Sequence, residues 1–239
     1  MLLTNTNVLQ KEMTANQLKY IAIILMFFDH LFAIFLDQSS LEGALSRIPG
    51  RIVAPIMCYL IAEGYFYTSN VNKYIKRLLI FSAISHFPYV IYFGIPWWKG
   101  TSVFWSLALG LIALAVAKNN KYPLYVKVLA VIACCILAVP ADWYYIGVLW
   151  ILFFGLFRGD IRKQLISFAI IGIFLHVIHS IYDYGWLWVN QLGMFLAVPL
   201  LLMYKGKQGR KSKILKWGFY IFYPLHLLIL YYIYIIITG

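Results

Sequence analysis

A polytopic bundle of about nine transmembrane α-helices is the fold this sequence predicts. Three observations predict it: an apolar composition, apolar runs of bilayer length, and basic residues confined to alternate loops. Of 239 residues, 63% are hydrophobic and 12% charged, far more apolar than the roughly half-apolar, quarter-charged mix of a soluble domain. The apolar runs consume nearly the whole length, and each can cross most or all of a hydrocarbon core. A net charge of +12 would suit a nucleic-acid binder, but the Lys and Arg residues lie in short clusters between apolar runs, not along one surface, so no nucleic-acid partner is expected.

In chain order, residues 1–17 are a polar cytoplasmic segment, too polar for the apolar region of a signal peptide, so the first span is expected to be retained. Residues 18–238 form one membrane domain. Thr14 to Gln17 has the spacing of a capping box and opens the first span, 18–36. The others follow at 52–68, 77–95, 102–117, 124–141, 143–157, 164–182, 186–204 and 217–237. With the N-terminus in the cytoplasm, seventeen basic residues fall on the inner side and only Arg47, Arg51 and Lys99 on the outer, a strong positive-inside bias for a multi-pass protein of the plasma membrane. The C-terminus is then outside. Trp97, Trp98, Trp143, Trp186, Trp188 and Trp217 fall near span ends, where amphipathic rings favour the interface with membrane lipids. Cys58, Cys134 and Cys135 make an odd set without CxxC spacing, which implies neither disulfides nor zinc.

Ionisable groups at bilayer depth are costly, so those that persist usually face the interior and have partners or a task. Here they are Asp29, His30, Glu63, His86, His176, His179 and His226. Lys19 and His30 lie eleven residues apart, almost three whole turns, which places them on one helix face about 16 Å apart along the axis. A cation at the cytoplasmic mouth and an imidazole deep inside suit acetyl-CoA, with phosphates at one end and a thioester at the other. Imidazole accepts a proton from an amine or hydroxyl near neutral pH, as acyl transfer requires. A carboxylate beside it can fix its tautomer, and Asp29 and Glu63 are both candidates. Asp29 is about 100° round the helix from His30, so it can instead orient a neighbouring helix.

Arg47 and Arg51, one turn apart at the outer entrance to the second span, can hold an oxyanion, a carboxylate or a lipid phosphate. For Arg47, lipid anchoring is the preferred reading. His86 precedes Pro88 by two residues and His226 follows Pro224 by two; such prolines free carbonyls a turn earlier and mark bends around cavities. His176, His179 and Asp183 share a face at i, i+3 and i+7, but with neither HExxH nor a cysteine partner no metal is expected. The loop Tyr204–Lys211 lacks Walker order, yet its glycines beside Lys205, Lys207 and Arg210 suit a grip on phosphates.

The stretches LKYIAIILMFFDH (18–30), GRIVAPIMCYLIAEGYFYTSN (50–70), KYIKRLLIFSAIS (73–85), YKGKQG (204–209) and FYIFYPLHL (219–227) together resemble the TraX membrane proteins, named for an enzyme that acetylates the N-terminus of a conjugative pilin. By that resemblance the recurrent polar positions are Asp29, His30, Arg51, Glu63, Thr68, Arg77, Ser85, Lys207, Tyr223 and His226. The family is similar to a wider group of membrane acyltransferases with a basic residue and a histidine eleven positions later on the first span; Lys19 stands where Arg is usual. His86 departs from the pattern, since an acidic residue is common there.

The expected function is acetyl transfer from cytoplasmic acetyl-CoA to an extracytoplasmic peptide, glycan or lipid acceptor. Catalysis would rest on His30, Asp29, Arg51 and Glu63, donor binding on Lys19, Arg77, Lys205, Lys207 and Arg210, and the cavity on Ser85, His86, Tyr223 and His226. The rival readings are a transporter or channel with a histidine-lined cavity, and a non-catalytic assembly factor whose polar residues lock helix packing.

Overall fold

A computed structural model describes residues 12–239, apart from residue 179, residues 182–184 and residue 211. The described chain is helical, with no strand. Its elements are α1 (Ala15–Phe35), α2 (Leu41–Ser46), a 3-10 turn (Pro49–Ile52), α3 (Val53–Tyr67), α4 (Val71–Phe93), α5 (Val103–Lys118), α6 (Leu124–Leu137), α7 (Tyr144–Leu156), α8 (Ile161–Ile171) continued by a π-helical turn (Gly172–Val177), a 3-10 segment (Gly185–Leu196), α9 (Ala197–Met203) and α10 (Lys213–Thr238). Ala15–Phe35, Leu41–Tyr67 and Lys216–Thr238 are each long and apolar enough to cross a membrane, and four shorter apolar helices accompany them.

Local chemistry accounts for the boundaries. The Thr14–Gln17 capping box forms in both directions: Gln17 N–H donates to Thr14 Oγ1 at 3.3 Å and Thr14 N–H to Gln17 Oε1 at 2.8 Å. Ser40, Asn70 and Asp160 cap α2, α4 and α8 through their side-chain oxygens. Gly94, at φ 61°, ends α4 in the left-handed conformation that suits a helix C-terminus. Pro88 and Pro224 are accommodated within α4 and α10, which run through them.

Two differences from the sequence reading concern the stretch before the second expected span and the start of the eighth. The stretch left between the first and second expected spans holds α2 and a 3-10 turn, and the first half of the eighth expected span is a tight 3-10 segment. The two meet: a Cβ on Gly193 would lie 2.4 Å from the Ile48 carbonyl oxygen, so glycine there permits backbone-to-backbone contact.

Two groups of helices build the core. α5 and α7 touch at glycines; a Cβ on Gly155 would lie 2.4 Å from Leu114 Cδ1, and one on Gly110 2.5 Å from Ile151 Cδ1. Small residues at such positions let helices approach where no hydrophobic drive exists between apolar surfaces in lipid. α1, α4 and α10 form the second group, joined by ring contacts such as Tyr20–Phe219 and Phe81–Tyr220.

Large apolar side chains face outward along α1, α4, α6, α8 and α10, with Leu124 at 76% exposure and Ile84 at 51%. His30, Glu63, Ser85, Gln164 and His226 are buried. Apolar outside and polar within is the arrangement of a helical membrane bundle.

The chain's turns gather at two ends. At one, Met13 bonds to Met203, Ala15 to Lys207, and Tyr67 to Gly206, beside Lys118 and Arg158. The basic clusters lie here. At the other, Thr101 N–H donates to the Pro140 carbonyl and Asp142 N–H to the Thr101 carbonyl, near Arg47 and Arg51.

Candidate active site

The buried polar residues fall into two clusters, one towards each end. In the half of the bundle away from the basic clusters, α1, α4 and α10 converge on His30. Its Nδ1 lies 2.8 Å from the Met26 carbonyl oxygen and 3.1 Å from His226 Nε2. His226 Nδ1 in turn lies 2.9 Å from the Phe222 carbonyl oxygen. Carbonyls only accept, so both rings carry their proton on Nδ1. The His30 Nδ1–H is then shared between the Met26 carbonyl and His226 Nε2. That leaves the His30 Nε2 lone pair without a hydrogen-bond partner among the described residues, the state a general base needs.

Each element contributes for a local reason. One buried face of α4 carries Leu78, Phe81, Ser82, Ser85, Tyr89 and Tyr92 at helical spacing. From it the Tyr92 hydroxyl donates to the His30 carbonyl oxygen, and its ring meets the imidazole edge-on at 5.4 Å. On α10, Tyr223 and His226 are three apart on the buried side, and the Tyr223 ring centroid lies 6.5 Å from His30 and 5.7 Å from His226. The Phe222 ring stacks on His226 at 4.6 Å. Ser85 Oγ is buried without a hydrogen-bond partner among the described residues.

Neither carboxylate considered for His30 is bonded to it. Asp29 accepts two hydrogen bonds from Arg47, at 2.6 and 3.0 Å, which ties α1 to the segment after α2. Gly50 leaves room for that carboxylate, since a Cβ there would lie 2.2 Å from Asp29 Oδ1. Arg47 is therefore committed to Asp29, contrary to the lipid-anchor reading. Glu63 accepts from Arg158 at 2.8 and 3.3 Å near the basic end of α3, in a different cluster from His30. His226 occupies the orienting position instead, reached from a helix 196 residues away in sequence.

Beside the histidines, Arg51 sits in the 3-10 turn before α3, and Asp142 lies in the turn between α6 and α7, 3.5 Å from the Tyr89 hydroxyl. Burial pushes the Asp142 carboxyl up to about 6, against the pull of the Arg51 guanidinium. Asp142 and Tyr92 went unnoticed in the sequence: one looked like a loop acid, the other like one tyrosine among nineteen. His86 stands apart, with Nδ1 3.2 Å from Thr101 Oγ1.

Towards the basic end of the same three helices, Lys19 Nζ lies 5.4 Å from the Phe219 ring centroid, and Arg77 packs over Tyr74 at 4.9 Å and Tyr220 at 5.1 Å. Thus α10 carries Phe219 and Tyr220 against the two cations, and Tyr223 and His226 against His30. Cations over aromatic faces are held while retaining charge for a ligand. The 204–210 loop is pinned elsewhere: Lys207 pairs with Glu12, holding that carboxyl below its ordinary value, and the Arg210 carbonyl accepts from Asn16. Lys205 lines a separate cavity with Glu63 and Arg158.

His176 Nε2 lies 3.0 Å from Gln191 Oε1. Its supposed companions His179 and Asp183 lie outside the described residues. Among the described residues no group of three potential metal ligands occurs.

Known proteins bear on this arrangement in one direction. The chain is 29% identical over 233 residues to the probable fimbrial assembly protein FimC, serogroup H1, of Dichelobacter nodosus, covering 92% of this chain and 95% of that one. No solved structure matches. The family described as TraX protein matches residues 14–234, a stretch that takes in every residue of the two buried clusters. The chain belongs to the TraX family.

Proposed function

We propose that this protein is a membrane acyltransferase that moves an acetyl group from cytoplasmic acetyl-CoA to a nucleophile on the outer side of the plasma membrane. The observation that carries the reading is the His30–His226 pair, whose hydrogen bonds engage His30 Nδ1 and leave Nε2 as a proton acceptor. In line with it on the same three helices, Lys19 and Arg77 supply cations at the basic end. By the positive-inside rule that end is cytoplasmic. A long donor with phosphates at one end and a thioester at the other matches this polarity.

In the reaction, His30 Nε2 takes the proton of the acceptor amine or hydroxyl as the nucleophile attacks the thioester carbonyl. The carbon–sulfur bond breaks, and the imidazolium returns the proton to the departing thiolate, so the coenzyme leaves as the free thiol. The His226 Nε2 and the Met26 carbonyl accept from Nδ1–H throughout and steady the cation, the task a carboxylate performs in serine-hydrolase triads. Arg51, in the 3-10 turn before α3, would meet an anionic group of the acceptor or the developing oxyanion.

The fimbrial assembly role in the relative's name supports a surface-fibre subunit as acceptor, with glycan and lipid headgroups as alternatives. The same name supports a second reading, a non-catalytic assembly factor. Transfer of radiolabelled acetyl from acetyl-CoA to outer-surface acceptors in vesicles separates the two. His30→Ala should lower the rate by about 10²-fold or more while the protein still folds. A folded variant that transfers at the normal rate would remove His30 from the chemistry, and no transfer by wild type would favour the assembly role.

A further inference from the structure

Apart from the His30 group, the basic end holds a cavity of about 510 Å³ between α3, the α7–α8 turn, α8 and α9, within the size range of small-molecule sites. Its wall is part charged and part apolar. Arg158 and Lys118 approach the Phe66 ring, at 4.6 and 5.8 Å from its centroid, and Lys205 stands at the rim beside Gly206. Ile161, Leu201 and Leu202 provide the apolar side.

The charge balance favours an anion. Glu63 is the one acid among the described lining residues, and Arg158 neutralises it through Nε and one terminal nitrogen, leaving the other edge of the guanidinium clear of that carboxylate. Lys118 and Lys205 then remain in excess. Lys118 Nζ donates to the Leu156 carbonyl at a long 3.5 Å. Two lining glycines, Gly159 at φ 94° and Gly206 at φ 80°, adopt left-handed backbone in which a side chain would be strained. Such turns present main-chain N–H groups to anions. Planar and point cations together are the donor set that phosphate selects.

We infer that this cavity binds an anionic phosphate group, held by Lys118, Arg158 and Lys205, with the apolar body of the ligand along Ile161, Leu201 and Leu202. The position at the basic, membrane-bordering end allows two sources: an anionic phospholipid of the inner leaflet, or a phosphorylated nucleotide from the cytosol. The site is independent of the acetyl-transfer reading, since neither Lys19 nor His30 lines it.

The test uses the full-length protein in detergent micelles, with Lys118→Glu as the variant because Lys118 belongs to neither the His30 group nor the Glu63–Arg158 pair. Native mass spectrometry reads retention of phosphatidylglycerol against phosphatidylcholine, and thermal shift reads 3′,5′-adenosine diphosphate. Saturable preference for phosphatidylglycerol, weakened about tenfold or more by the charge reversal, supports the site with a lipid occupant. Stabilisation by the nucleotide, lost in the variant, supports it with a soluble one. Wild type that prefers neither, or a variant that keeps wild-type affinity for whichever is bound, overturns the inference. An unchanged melting temperature of Lys118→Glu without ligand shows that the variant folds.

Discussion

His226 touches no acceptor in the proposed reaction and acts through His30, so it is a positioning residue, and its substitution has a distinctive signature. His226→Leu should lower kcat about tenfold or more while leaving KM for acetyl-CoA near wild type, because an interaction made with the cation of the transition state is lost and none with the bound donor. His226→Gln, whose amide oxygen can still accept, should retain more activity than the leucine variant. Equal losses in both, with KM rising in step, would assign His226 to donor binding. Asp142 makes a prediction of another kind. Its carboxyl stands at about 6, above the ordinary 3.8, so the folded state holds its proton more tightly than the unfolded chain does. The stability this lends is complete below about pH 4 and lost as pH rises through about 6. Asp142→Asn should therefore melt close to wild type near pH 4 and above it near pH 7. A gap that does not widen across that interval would show that the shift carries no stability.

Two ion pairs tie elements together at the scale of helices. Asp29–Arg47 fastens α1 to the connection that presents Arg51, and Glu63–Arg158 fastens α3 to the turn between α7 and α8. In the second, Glu63 is 7% exposed at its side chain and Arg158 36%. Removing the cation strands a buried carboxylate. For a fully buried pair that costs roughly 3–5 kcal/mol, and with Arg158 partly solvated the expected loss for Arg158→Ala is about 2 kcal/mol. Adding Glu63→Gln should recover more than half of it, as measured by thermal melting in detergent. If the single variant melts like wild type, the pair does not hold these elements. The Thr14–Gln17 cap was legible in the sequence because its chemistry is local. The partnerships of Asp29 and Glu63 were not, since spacing along one helix says which face a carboxylate occupies and nothing about which helix arrives there.

For the molecule as a whole, the placement of charge dictates a topology. Alkaline phosphatase fused within residues 96–100 or after residue 239 should be active if the charge pattern sets the orientation as the positive-inside rule expects. Fusions within 119–122 or 205–210 should be inactive, the basic clusters there being retained in the cytoplasm. The reverse pattern would invert the bundle and with it the proposed direction of acyl transfer. The three-helix group α1, α4 and α10 runs from the Lys19 and Arg77 cations to the His30–His226 pair, so one wall of the bundle joins the basic end to the buried base. The cavity beside Glu63 lies towards another wall.

What the sequence by itself determined is whatever depends on neighbours along the chain: the apolar runs, the end at which the basic residues gather, the Thr14–Gln17 cap, and the one-face alignment of Lys19 with His30. Membrane insertion reads hydrophobicity and charge segment by segment, so these features survive without knowledge of packing. Only the tertiary structure decided that the Met26 carbonyl and His226, rather than Asp29 or Glu63, are the partners of the His30 ring, that Arg47 and Arg158 each bond a carboxylate, and that Lys205 belongs to a different cavity from Lys19. The side-chain pairings among these form between residues 18 to 196 positions apart, through helix contacts that no local periodicity encodes.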